Sequence, residues 1–375
     1  MGLLADYGLV ERVQVSTATS KTKATRTFSM HPVVHTWAMR MQNQSERVAS
    51  LNVALSLFAA MNKSTVQGWA HFDGWIPHAN SVLRWTTEIM SSTDGDGLTK
   101  ATLSHRESIK GLYRIAGIFK RARRYQKCGE VFAVLEKHAN PDTIHLENKD
   151  DAAYLARMRV DTLRLHGRIL WHNQTDAARL KLQEALDLAL RLDPPVLQDF
   201  TWDAWNSLGK FYTSKHFLDE AEECLSGLQK TLDAVPLERR RRSYDAARAR
   251  LALHVGKCAR RRGQYGAAQR ELESGIATAA KIGNGMSMST QHLLMEQGTL
   301  FHKMGRYEAA EENLRSCFME MLRHLGPKHP TTLLASRKLI NVLRHQGKTQ
   351  DAKEIRALVN TTSSAAMAHR SDDEE

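Results

Sequence analysis

The chain lacks most of the features that mark a membrane protein, a secreted domain or an enzyme. No apolar run approaches the ~18 residues that a membrane-spanning helix needs. The N-terminus has no basic-then-apolar segment of the kind that makes a secretory signal peptide. Met1-Gly2 opens the chain, but Asp6 stands where N-myristoylation wants Ser or Thr. The four cysteines, Cys128, Cys224, Cys258 and Cys317, lie too far apart for a disulfide frame or a zinc site and read as reduced apolar fillers. The 17 histidines are scattered; His31 and His35 have helical spacing without the Glu of a zinc-protease helix. No G-x-x-x-x-G-K-[ST] loop occurs, so the chain is not expected to bind or hydrolyse ATP alone. No nucleophile–base pair or paired-carboxylate motif stands out. The expectation is a soluble, intracellular, non-catalytic protein with no metal and no cofactor.

What is present is repetition. Small residues open a series, Ala116, Gly167, Gly209, Gly256 and Gly298, which ends at Ile340, with steps of 51, 42, 47, 42 and 42 residues. A second small residue follows twelve positions on: Cys128, Ala221, Ala268, Ala310 and Ala352, with Ala178 eleven positions on in the second unit. Four further lies a bulky one: Phe132, Leu182, Leu225, Leu272 and Leu314. Arg356 breaks this last series, so the sixth unit is expected to be a cap. Antiparallel helices cross closely only where side chains are small, and bulky neighbours fill the grooves beside the crossing. One such hairpin cannot bury its own apolar face, so several must stack. Arg262-Gly263-Gln264-Tyr265, Met304-Gly305-Arg306-Tyr307 and His345-Gln346-Gly347-Lys348 place glycine where one helix ends and the chain reverses.

Trp205-x-x-Leu208-Gly209-x-x-Tyr212, followed by Ala221 and Leu225, resembles the tetratricopeptide pattern. The repeat steps exceed the ~34 residues of that unit, and the extra length falls in the second helix and its exit loop. In the fifth unit that loop, Leu325-Gly326-Pro327-Lys328-His329-Pro330-Thr331-Thr332-Leu333, resembles the GPxHPxTL loop of the kinesin-light-chain type of repeat. The likeness is closest over 290–358 and looser over 106–289. It implies an all-α, right-handed helical solenoid of about six units over 98–359, whose usual role is to hold other proteins.

The net charge of +12 is expected on the inner wall of this solenoid. Counted from the small residue, positions one, four and five carry Lys120, Arg121, Arg168, His172 and Lys210 in the earlier units. Lys257, Arg260, Arg261, His302, Lys303, Asn341, Arg344 and His345 follow. The groove residues singled out are Lys210, Lys257, Arg260, Arg261, His302, Lys303 and Arg344. Such a field draws acidic peptides and speeds their encounter, although a merely solvated face has the same composition. Arg239 to Arg242 form a basic run that suits a nuclear-localisation signal or a nucleic-acid contact, so a nuclear location stays open beside a cytoplasmic one.

Residues 1–44 follow other rules. Leu3, Leu4 and Leu9 suit a helix, Val13 and Val15 alternate as in a strand, and Ser16 to Thr27 reads as a loop. Phe28 and Met30 alternate again before His31-Pro32, where a helix begins with Val33, Val34, Trp37, Ala38 and Met41 on one face. The expectation is a small α+β segment, the back half of a winged helix, so that Met1 begins inside a domain. Phe28 to Ala38 resembles the segment closing the nucleotide-binding module of NOD-like receptors and related signalling ATPases, and Gly74 to Ala79 resembles their helical connector. Fungal members of that group carry kinesin-light-chain-type repeats. The resemblance implies that His31 contacts a nucleotide phosphate if such a module lies upstream; Pro32 departs from the Met-His-Asp motif. A helical connector is expected over 45–97 and a disordered acidic tail over 360–375.

These readings make the chain a protein-interaction scaffold that binds acidic segments, the partner-sensing part of a truncated fungal-type signalling ATPase. Two alternatives stand beside it: a kinesin-light-chain-like cargo adaptor, which lacks the expected N-terminal heptads, and a basic nucleic-acid binder, with Trp171 as its stacking candidate.

Overall fold

In a computed structural model the periodic segments are helices, paired into hairpins at the small residues. The structure describes residues 10–14, 26–30, 43–60, 75–91, 106–138, 149–171, 173–192, 194–282 and 288–360. The chain divides into two units, 1–159 and 160–375.

The first unit opens with two antiparallel strands, β1 Val10–Gln14 and β2 Arg26–Met30, in register Val10 to Met30 and Gln14 to Arg26. This is the only strand pair among the described residues. The helices expected beside it, around Leu3–Leu9 and Val33–Met41, lie outside the described residues, as does His31. The expected half winged helix is therefore not supported: the described residues there form one hairpin, and the rest of the described chain is helices and their turns. Helices α1 Gln44–Ala60 and α2 Trp75–Ser91 pack with α3 Arg106–Arg121, which turns back as α4 Tyr125–His138. Asn43 caps α1, its Oδ1 accepting the Glu46 backbone N–H at 2.9 Å. At the α1–α3 crossing a Cβ on Gly111 would collide with the backbone carbonyl of Leu55, so only glycine fits. Cys128 reaches back to the Ala116 carbonyl, 3.4 Å from its Sγ. Helix α5, Lys149–Leu170, begins in this unit and ends in the next.

In the second unit α5 pairs with α6 Thr175–Arg191, and α7 Pro194–Lys215 with α8 Leu218–Asp233. Three more hairpins follow: α9 Arg242–Arg261 with α10 Tyr265–Ile282, α11 Met288–Lys303 with α12 Tyr307–Leu325, and α13 Pro330–His345 with α14 Thr349–Asn360. From α6 onward successive helices touch, and α7, α9, α11 and α13 each also touch the next in that series. The first helices thereby form one layer and the second helices another. The crossing residues are those of the sequence series. A Cβ on Gly167, Gly209, Gly256 or Gly298 would lie 2.9, 3.0, 2.8 or 2.7 Å from the side chain of Leu182, Leu225, Leu272 or Leu314. Those leucines are buried, with Ala178, Ala221, Ala268 and Ala310 beside them. Where α12 ends, Gly326 takes φ +79° and Pro330 begins α13, with the His329 side chain accepting the Thr331 backbone N–H at 3.3 Å. No described helix is long and apolar enough to cross a membrane.

Candidate ligand groove

Along the layer of first helices the second unit holds a cavity of about 640 Å³. Helices α5, α7, α9 and α11 contribute parts of one stripe, read from each crossing glycine at six and two to three positions before it and one after. From α5 come Arg164 and Arg168, and from α7 Asp203, Asn206 and Lys210. Helix α9 adds Arg250, His254 and Lys257, α11 adds His292 and Met295, and α13 closes one side with Thr331 and Leu334. This spacing keeps the residues on one face, because positions three to four apart share a helix side.

The groove is strongly cationic. Among its lining residues the one carboxylate is Asp203, which pairs with Arg250 at 2.8 Å. Burial, followed by the nearby charges of Lys257 and Lys210, holds the His292 imidazole down to about 4. Burial also pushes His254 well below the usual imidazole range, with Lys257, Lys210, Arg250 and His292 adding to the effect. Lys257 is itself lowered by burial, against which the Glu296 carboxylate acts in the raising direction. Both imidazoles are therefore neutral near pH 7, each holding a ring nitrogen as acceptor and one as donor. Buried His254 Nδ1, Asn206 Oδ1 and Arg250 Nε have no hydrogen-bond partner among the described residues. Buried polar atoms are nearly always satisfied, and here they sit in a solvent-reaching cavity. Trp171 lines one end, edge-on to Phe211 at 5.4 Å, with the Lys210 ammonium 5.9 Å from its ring centre.

Of the residues expected from sequence, Lys210 and Lys257 line this cavity. Arg260 instead turns to the buried Glu296, donating from Nε at 2.6 Å and tying α9 to α11. Arg261 is half-buried behind it, its Nη1 without a hydrogen-bond partner among the described residues. His302 Nε2 lies 3.2 Å from His345 Nδ1, and Tyr307 stacks on His345, so these histidines close the turn side of their hairpins. Lys303 is exposed, and Arg344 lines a separate cleft of about 390 Å³ with Arg337, Ile340 and Arg356. Lys120 and Arg121 belong to the first unit, and His172 lies outside the described residues. Sequence reasoning passed over Arg164, Arg250, His254 and His292, which continue the Lys210 and Lys257 stripe one and two turns toward the N-terminus. The four cysteines are buried free thiols, and burial pushes Cys128 up to about 11 and Cys224 and Cys317 up to about 12.

No family model and no curated protein matches the chain. Solved structures similar to it include a Podosopora anserina putative kinesin light chain with nearly identical TPR-like repeats, at 19% identity and TM-score 0.40, covering 56% of this chain and 96% of that one. A Rap protein complexed with Competence and Sporulation Factor matches at 14% and 0.43, covering 87% and 99%. A Signal Transduction ATPase with Numerous Domains from Pyrococcus horikoshii, with a tetratricopeptide repeat sensor, matches at 14% and 0.41, covering 99% and 59%.

Proposed function

We propose that this chain is a non-catalytic repeat scaffold of tetratricopeptide type that binds an acidic peptide segment along the α5–α7–α9–α11–α13 groove. The observation that carries it is the convergence of Arg164, Arg168, Lys210, Arg250 and Lys257 on one cavity whose lining includes a single carboxylate. Like charges held together at the cost of depressed pKa values are a feature of sites built for an opposite charge. A nucleic-acid reading fits less well: single strands need several stacking faces, and Trp171 is the one Trp, Tyr or Phe on the cavity wall, already set against Phe211 and Lys210. Fluorescence anisotropy of a labelled glutamate decapeptide against the full chain tests the reading. Binding should weaken steeply with salt and be lost when Arg168→Glu and Lys210→Glu are combined; binding unchanged in that variant overturns it.

The larger protein we infer is a fungal-type signalling ATPase, with these repeats as its partner-sensing part. The support is the likeness of Phe28 to Ala38 to the end of the nucleotide-binding module. DNA upstream of the Met1 codon decides: an open frame encoding a phosphate-binding loop supports it, and non-coding sequence overturns it.

A further inference from the structure

We propose that the middle of the groove, where Lys210, Lys257, His254 and His292 meet, is a seat for a phosphate monoester carried by the bound peptide. The proposal rests on the acidic-peptide reading and narrows it to one class of anion. Three observations point to a dianion with several acceptor oxygens over a lone carboxylate. First, two ammonium groups and two imidazoles from three different helices, α7, α9 and α11, face one space. A planar carboxylate offers two oxygens, whereas a phosphate monoester offers three in a pyramid and ~1.5 to 2 negative charges near neutral pH. Donors arriving from three helices suit the pyramid. Second, the lining of that space carries five lysine and arginine side chains and one carboxylate, Asp203, which is engaged by Arg250. Third, His254 is buried and its Nδ1 has no partner among the described residues. Burial first, and then the charges of Lys257 and Lys210 that a dianion would offset, hold both imidazoles neutral. An arriving phosphate therefore turns both rings toward protonation and gains them as charged donors.

The other charged groups around it are Arg164, paired with Asp161, and Arg168, Arg250 and Asp203, with Arg260, Glu296 and Lys338 near Lys257. All sit on α5, α7, α9, α11 or α13, so the seat is pre-formed on rigid elements.

The test follows the imidazole ring signals of His254 and His292 by 1H–13C NMR in the full chain, while inorganic phosphate or acetate is added at constant ionic strength. Phosphate should move both sets of signals and shift the His292 titration upward from about 4. Acetate at equal concentration should leave them in place. The response should vanish in Lys257→Gln and weaken at least about tenfold in Lys210→Gln, a loss of ~1.4 kcal/mol or more. Lys210 is exposed, so its replacement leaves the helix packing intact if the buried variant unfolds. In the peptide arm, an acidic heptapeptide with a central phosphoserine should bind at least about tenfold tighter than the same peptide with serine. Imidazole signals unmoved by phosphate, or moved equally by acetate, overturn the phosphate seat. If the glutamate decapeptide still binds, the acidic-peptide groove survives that result; if it does not, both fall. An oligouridine that displaces phosphate more tightly than the phosphopeptide overturns the peptide assignment in favour of nucleic acid.

Discussion

Seven positions after Ala116, Gly209, Gly256, Gly298 and Ile340 the chain turns through the left-handed region, whereas Gln174, seven after Gly167, has φ -137°. Gly263, Gly305 and Gly347 do so at φ +77°, +75° and +74°, and the equivalent positions in two other units are Arg123 at +57° and His216 at +68°. A side chain there crowds the backbone, which glycine avoids. Replacing exposed His216 with glycine should therefore raise stability by about 1 kcal/mol, and Gly263→Ala should lower it by a similar amount. Paired urea titrations decide it; a destabilised His216→Gly would mean that its side chain contributes a contact larger than the strain. The same residues show what a single sequence can reveal. Gly256 and Leu272 were legible as partners because a close helix crossing fixes both the small residue and its offset to the bulky one. Gly111 was not: its need arises from the Leu55 carbonyl more than fifty residues away, outside any repeat period. Ile340 and Arg356 break the pattern together, so the Gly–Leu crossing of the other units is absent from the last.

Between neighbouring first helices the decisive contact is Arg260 to Glu296, with both side chains almost fully enclosed. From sequence alone Arg260 and Lys257 look alike, three residues apart and both basic. Their fates diverge because α11 presents a glutamate to one and a cavity to the other, and that depends on the register between α9 and α11. The positions one turn and two turns N-terminal to Lys257 needed the same register, which explains why Arg250, His254 and His292 escaped notice. Glu296→Ala leaves a buried guanidinium without its partner and should cost roughly 3 kcal/mol, whereas Glu296→Leu with Arg260→Met should recover most of it. Thermal melts of the single and double variants measure this; equal losses in both would show that packing outweighs charge. The same two helices set the pH response. His292 stays neutral in the fold down to about 4, while its ordinary value is 6.5. Between those values the unfolded chain holds more protons, so stability rises with pH through that window and falls on acidification. Taking the protein from pH 7 to 5 should lose up to about 2 kcal/mol through His292, and His292→Gln should remove that part of the slope. Urea midpoints for both proteins at the two pH values give the answer, and parallel slopes would rule the linkage out.

At the level of the whole repeat array, stability is a sum over neighbours, so each hairpin is only as firm as the surfaces it shares. Helices α6, α8, α10 and α12 bury between four and six residues each, whereas α14 buries two, Ala352 and Ile355. Each large apolar side chain withdrawn from water contributes about 1.5–3 kcal/mol, and α14 places Arg356 where the others place a leucine. Its partner α13 is better anchored, since Leu339 and Leu343 enter the core shared with Leu314 and Phe318. Opening should then proceed from α14 while α13 holds. Hydrogen exchange read by mass spectrometry should find α14 exchanging fastest among the second helices of this unit, α10 and α12 more slowly, and the Leu339–Leu343 segment of α13 protected like its neighbours. Because the groove is built from first helices, phosphate or acidic peptide should slow exchange in α7, α9 and α11 and leave α14 unchanged. Protection spreading evenly to α14 on binding would mean that the array responds as one cooperative block, and the nearest-neighbour account would have to be abandoned.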